Sequence, residues 1–431
     1  MTAGMIESGR LRRVLVSAVA TTALTAGLVG TAPAAFAIDV QAEQWYLDAM
    51  HAEEIWKTTT GEGVTVAVID TGVNKNTPSL KGKVLKGWDA SEAKGDETDD
   101  YEGHGTSVAE LIVGSGASGG VKGLAPGAKV IPFRVSDTQM QNEQAVNAFD
   151  LRESIRAAAD SEARIINISM ANEFYDSDIR EAIQYAQSKG KLIFAGSGNS
   201  ADKGNKPQYP AAYPEVVAVA ATGQNGKVAK YSQYGDYVDI AAPGNSIPSW
   251  CDATFKSYCI EEGTSFATAL ASATAALIWS EHPDWTANQV LRVMFEAAGR
   301  GKDWKPGTVS AYLGHGVVRP NATINRGLGN PGDPRISPLT NMPAGPGAAE
   351  ANASAKPSAT ASGSGSPGTA PSASASPQAP ADGATSAPAV AGSGESTGTS
   401  SRTGLVIGGA AVALVVAAGA AFVIARRRRA A

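Results

Sequence analysis

The stretch 63-GVTVAVIDTGV-73 decides how this chain folds. Five of the six residues from Val64 to Ile69 are apolar, four of them β-branched, and they do not alternate with polar ones. A strand with one wet face alternates; an unbroken run suits a strand covered on both faces, as in a parallel sheet between helices. Working outward, the same pattern recurs at 128-AKVIPFRV-135, 164-RIINISM-170, 191-KLIFAGSG-198, 216-VVAVAAT-222 and 237-YVDIAAPG-244. Between these runs, 104-HGTSVAELIVG-114, 145-AVNAFDLRESIRAAADSEA-163, 177-SDIREAIQYAQSKG-190 and 261-EEGTSFATALASATAALIWS-280 read as helices, the third with an Asp/Ser start and a Gly190 stop. Strands alternating with helices predict an α/β domain with a mostly parallel sheet, whose sites gather at the carboxyl ends of the strands.

The ends of the chain read differently. Arg10–Arg13 followed by an apolar run ending in Ala35-Phe36-Ala37 has the form of a signal peptide, residues 1–37. From 327 to 403 the sequence is Pro, Ala, Ser, Gly and Thr almost without aromatics, which predicts a disordered spacer unable to bury enough surface to offset its entropy. Residues 404–425 carry no charge over 22 positions, enough for one transmembrane helix, and the basic tail 426–431 follows. Arg426–Arg429 put that tail in the cytoplasm, and hence the folded domain outside the plasma membrane.

The block between is slightly acidic in a chain of net charge −5 and has no basic stripe, which excludes nucleic-acid binding. Cys251 and Cys259 are the only cysteines, and in an exported chain they predict a short-loop disulfide. The acidic run 94-KGDETDD-100 offers oxygen ligands to calcium, but it lacks a spaced ligand pattern and reads as a solvated loop. No metal and no cofactor are therefore expected.

Three groups could work together. Asp70 closes the first strand, at the edge where sites form, although aspartate is also a common turn residue. His104 lies between Gly103 and Gly105 at a helix start, and imidazole is the natural general base near neutrality. His51 and His282 look structural, and His315, also between glycines, is the one rival. Ser265 opens the last helix, where a serine is either a cap or a nucleophile.

The succession DTG, GHGT and GTS, from Gly61 to Gly316, resembles the subtilisin-type serine proteases, the subtilases. The resemblance implies a three-layer subtilisin-like fold and a peptide-hydrolysing triad of Asp70, His104 and Ser265. It implies an oxyanion hole made by Asn199, in FAGSGNS, and the Ser265 N–H. It also implies substrate walls from NISMAN (Asn167, Ser169, Ala171), from Gly196, and from an edge strand in KGLAPGAKV (Gly123). Two positions depart from the family. Ala171 replaces a glycine, and its methyl narrows the primary pocket. Ala269 replaces a proline near the first turn of the last helix.

After residue 37 only about 25 residues precede the first strand, too few for a prodomain with a core of its own. Residues 38–62 instead read as an extension packed on the peptidase domain, 63–326, through Trp45, Leu47, Met50 and Trp56. This layout resembles the mycosins, the membrane-anchored subtilases of type VII secretion. That resemblance implies a polypeptide substrate and secretion-channel components as partners. A structural subunit with proteolysis secondary is the alternative.

Overall fold

The computed structural model describes residues 38–91, 93–136, 148–302, 304–305 and 307–347. The expected signal peptide, transmembrane helix and basic tail, and most of the expected spacer, lie outside the described residues.

Seven strands form one parallel sheet: β1 (Thr65–Asp70), β2 (Trp88–Asp89), β3 (Lys129–Arg134), β4 (Ile165–Ile168), β5 (Leu192–Gly196), β6 (Val217–Thr222) and β7 (Ile240–Pro243). Their order is β2-β3-β1-β4-β5-β6-β7, and every adjacent pair is parallel. The chain thus moves outward from β1 on one side, returns through β3, and crosses to β4 on the other. Asp70 ends β1 where the order reverses, the usual place for a site in an open α/β sheet.

Helices cover both faces, which explains the unbroken apolar runs. Val66 and Val68 of β1 face one core with α3 (His104–Val113) and α6 (Thr264–Glu281). Ala67 and Ile69 face the other, with α4 (Ala148–Asp160) and α5 (Ser177–Ser188). Asp176 caps α5, its carboxylate accepting from the N–H groups of Asp178 and Ile179. α6 is buried from Thr264 to Trp279, and its many alanines let β4 to β7 pack closely against it. α7 (Ala287–Ala297), with a capping box from Thr286 and Gln289, and α8 (Pro320–Ile324) follow.

The extension packs as its tryptophans suggest. It forms α1 (Trp45–Ala49) and α2 (Ala52–Ile55), with Tyr46 and Ile55 fully buried. Trp45 donates its indole N–H to the carbonyls of Asn245 and Ser246, and Trp56 donates to Leu124. β8 (Ile247–Trp250) and β9 (Tyr258–Glu261) form a separate antiparallel hairpin, joined by the Cys251–Cys259 disulfide.

The folded chain continues past 326. Residues 327–347, expected to begin the spacer, form a strap folded back on α7. Asn288 Nδ2 donates to Pro334 O (2.9 Å) and Ala344 O (3.0 Å), and Arg292 donates to Ile336 O (2.9 Å). A Pro/Gly-rich segment has no core of its own, but its backbone carbonyls satisfy polar side chains of a helix that does. Among the described residues no helix is long and apolar enough to cross a membrane.

Candidate active site

Asp70 at the end of β1, His104 at the start of α3, Asn199 in the loop after β5 and Ser265 in the first turn of α6 meet at the carboxyl end of the sheet. Asp70 is fully buried. Its Oδ1 accepts from His104 Nδ1 at 2.7 Å and from the Thr71 N–H at 2.8 Å. About a third of the His104 side chain, 32%, stays open to the cleft. Burial of the ring by itself lowers the imidazole pKa. The charge and hydrogen bond of Asp70 outweigh it, with Asp100 and Glu102 adding, so the pKa is lifted to about 9.

Gly103 precedes α3 with φ of +85°, and Gly105 allows a close approach: a Cβ there would lie 2.2 Å from Gly72 O. His315, the rival, is elsewhere. Its ring stacks on Phe295, and burial, helped by Arg300, lowers its pKa to about 4.

Ser265 is not a helix cap. The N-cap is Gly263, and Ser265 is the second residue of α6, with its hydroxyl turned to Ser169 O at 3.4 Å. Its N–H belongs to the first turn, whose amides lack intrahelical partners. Thr264 orients Asn199: its N–H and hydroxyl both bond to Asn199 Oδ1 at 2.9 Å. The Asn199 Nδ2 is thereby left as the free donor. Three hollows of about 280, 270 and 210 Å³ share Asn199 and Ser265, so they form one extended cleft. The disulfide hairpin lines it through Trp250 and Cys251, together with Glu261 and Glu262.

Ser169, Ala171 and Gly196 line this cleft, with Gln208 and Gln233 at the same hollow. A side chain at Gly196 would meet Thr264 Oγ1 at 2.7 Å, so glycine is needed there. Asn167 does not line it. It is fully buried in β4, donating to Ser169 Oγ and accepting from Ser272 of α6. Gly123 does not line it either. Its N–H bonds to Gly114 O beyond the far end of α3, because KGLAPGAKV leads into the amino end of β3, opposite the cleft. Ala269 is the sixth residue of α6, beyond the free amides of the first turn, so alanine keeps the hydrogen-bond ladder whole there.

The acidic loop is not simply solvated: Asp100 is 4% exposed and Arg134 donates to Asp99 O at 3.1 Å. Among the described residues no group of three or more His, Cys, Asp or Glu is arranged to hold a metal ion.

The sequence matches the subtilase family, Peptidase S8, over residues 61–316, more than half of the chain. The chain belongs to the subtilase family. Thermitase of Thermoactinomyces vulgaris is 33% identical over 271 residues, covering 61% of this chain and 92% of thermitase. The major intracellular serine protease of Bacillus subtilis is 31% identical over 244 residues, 54% of this chain and 74% of that one. Among solved structures, MycP1 from Mycobacterium smegmatis superposes with a TM-score of 0.56 at 28% identity, covering 68% of this chain and 86% of that one. The MycP3 protease from the type VII (ESX-3) secretion system gives 0.56 at 29% identity, covering 65% and 88%. This subtilase is a serine endopeptidase with mycosins as structural neighbours. The motifs that carry Asp70, His104 and Ser265 were legible in the sequence. The contact of Thr264 with Asn199 and the burial of Asp100 were not, although Thr264 lies within GTS and Asp100 four residues before His104.

Proposed function

We propose that this subtilase cuts polypeptides outside the plasma membrane through Asp70, His104 and Ser265, held by a C-terminal anchor beside a type VII secretion channel. The observation that carries the chemistry is the 2.7 Å contact of His104 Nδ1 with buried Asp70, in the cleft that also holds Ser265 and Asn199. Nδ1–H bonded to the carboxylate leaves Nε2 as the lone-pair nitrogen. Ser265 Oγ swings from Ser169 O toward that nitrogen, loses its proton to it and attacks the scissile carbonyl. The imidazolium then protonates the leaving amine, and water deacylates the serine by the reverse route. The oxyanion forms against Asn199 Nδ2 and the Ser265 N–H, at the positive end of α6. No cofactor is needed for these steps.

A fluorophosphonate probe tests this reading: it labels the wild type at Ser265 and leaves Ser265→Ala unlabelled. Absence of wild-type labelling at every pH would overturn it. Asn199→Ala should lower kcat about 10²- to 10³-fold with KM little changed, since the donor meets only the developing oxyanion. A loss confined to KM would assign Asn199 to ground-state binding.

The pH profile follows from His104. The base works as the neutral imidazole, so kcat/KM rises with pH through its midpoint. Because Asp70 raises that midpoint, the acid limb should lie between the ordinary 6.5 and about 9. A limb at or below pH 6.5 on a peptide amide substrate would remove Asp70 as the controlling charge.

The anchor reading rests on residues 404–425, and membrane fractionation with and without them tests it. The secretion reading rests on likeness to MycP1 and MycP3 and on the chain's layout. Complementing a deletion strain with Ser265→Ala tests it: lost secretion supports cleavage as the essential step, and full rescue assigns that role to assembly.

A further inference from the structure

Five donors converge on the carboxyl of Asp100. Thr71 Oγ1 (2.9 Å) and the N–H groups of Glu102 (3.0 Å) and Gly103 (2.8 Å) reach Oδ1. The N–H and hydroxyl of Thr106, at 2.9 and 2.6 Å, reach Oδ2. A charge buried to this degree is tolerated only when its lone pairs are filled, and these bonds fill them. Burial raises the Asp100 pKa, and the bonds from Thr106, Gly103 and Glu102 oppose the rise.

The bonds join two elements. On the helix side, Gly103 is the N-cap of α3 and has no side chain to cap with. Asp100 caps from outside, satisfying first-turn amides and setting negative charge at the helix's positive end. On the strand side, the Thr71 hydroxyl accepts from the Gly105 N–H at 2.9 Å, and the Thr71 N–H holds Asp70 Oδ1. The end of β1 that carries Asp70 and the start of α3 that carries His104 are thus stitched through one carboxylate. There is no slack beside it, because a Cβ on Gly105 would lie 3.0 Å from Asp70 Cβ.

We propose that Asp100 is a positioning residue for the triad: it fixes the approach of His104 to Asp70, and its charge helps to hold the imidazolium. This rests on the triad reading above. The other ionisable groups facing His104 are Asp70 and Glu102, with Glu261 and Glu262 across the cleft; among the described residues no Lys or Arg lines the hollows around Ser265.

Two measurements on the full chain test it. The imidazole titration of His104 is followed by NMR in Ser265→Ala protein, with and without Asp100→Asn. In protein that keeps Ser265, kcat per fluorophosphonate-labelled site and KM are compared for wild type, Asp100→Asn and Thr106→Val. Asp100→Asn should lower the His104 midpoint by at least about 0.5, through lost negative charge. It should also lower kcat at least about tenfold with KM within about twofold. Thr106→Val keeps the charge but removes the hydroxyl that donates to Asp100 Oδ2 and accepts from the Asn74 N–H, so kcat falls while the midpoint stays. A purely structural role predicts a lower melting temperature and fewer labelled sites, with midpoint and kcat per site unchanged, and that result overturns the proposal. If the wild type is never labelled, the triad reading fails, and the NMR midpoint still decides whether Asp100 acts on His104. If Asp100→Asn does not fold, an unchanged kcat in Thr106→Val overturns the positioning role.

Discussion

Ser265→Ala is expected to lower kcat by about six orders of magnitude, the scale at which loss of a triad serine removes covalent catalysis. KM and melting temperature should stay near those of the wild type. The reason is local. Ser265 does not cap α6, and the one hydrogen bond of its hydroxyl, to Ser169 O, is long at 3.4 Å. Alanine is also a strong helix former, so the first turn keeps its geometry. The Asn199 and backbone donors stay in place, so residual turnover above the uncatalysed rate reports their contribution. The measurement is single-turnover hydrolysis of a peptide amide on protein free of wild type. Residual activity above about a thousandth of the wild type would place the nucleophile elsewhere.

Asp70→Asn should cost about 10⁴ in kcat. Asp70 accepts from His104 Nδ1–H, and this fixes the tautomer whose Nε2 can take the serine proton. A carboxamide can present its NH₂ to Nδ1 instead. The ring proton then sits on Nε2, and the base is lost although every atom is nearly in place. Removing the carboxylate also removes the charge that lifts His104, so the acid limb of the remaining activity should move down from its wild-type position toward the ordinary 6.5. A loss of less than tenfold, or a limb that does not move, would mean that His104 takes neither its tautomer nor its basicity from Asp70.

What the sequence disclosed has a physical pattern. Strands buried on both faces leave unbroken apolar runs, so β1 and β3 to β7 were legible one by one. The pairing order was not, because nothing local to a parallel strand records its neighbour. Asp70, His104 and Ser265 were visible because each sits in a short motif shaped by tight backbone. Gly123 was misplaced because its segment was read by likeness alone, while its position before β3 puts it at the amino edge of the sheet. Asn167 was misread for a related reason: a polar residue inside a strand can satisfy a buried helix hydroxyl, here Ser272, as well as a ligand. The strap at 327–347 was missed because composition measures what a segment can bury by itself. It does not measure what a neighbouring helix supplies.

The strap also sets a direction. Its last turns, at Gly345 and Pro346, lie against Gly190, Lys191 and Leu192, where β5 begins. Ser265 and Asn199 lie where β5 has ended. Residue 347 therefore departs from the pole opposite the cleft. The end of the strap and the cleft thus stand at opposite ends of one strand, so a change in the strap touches no residue of the cleft.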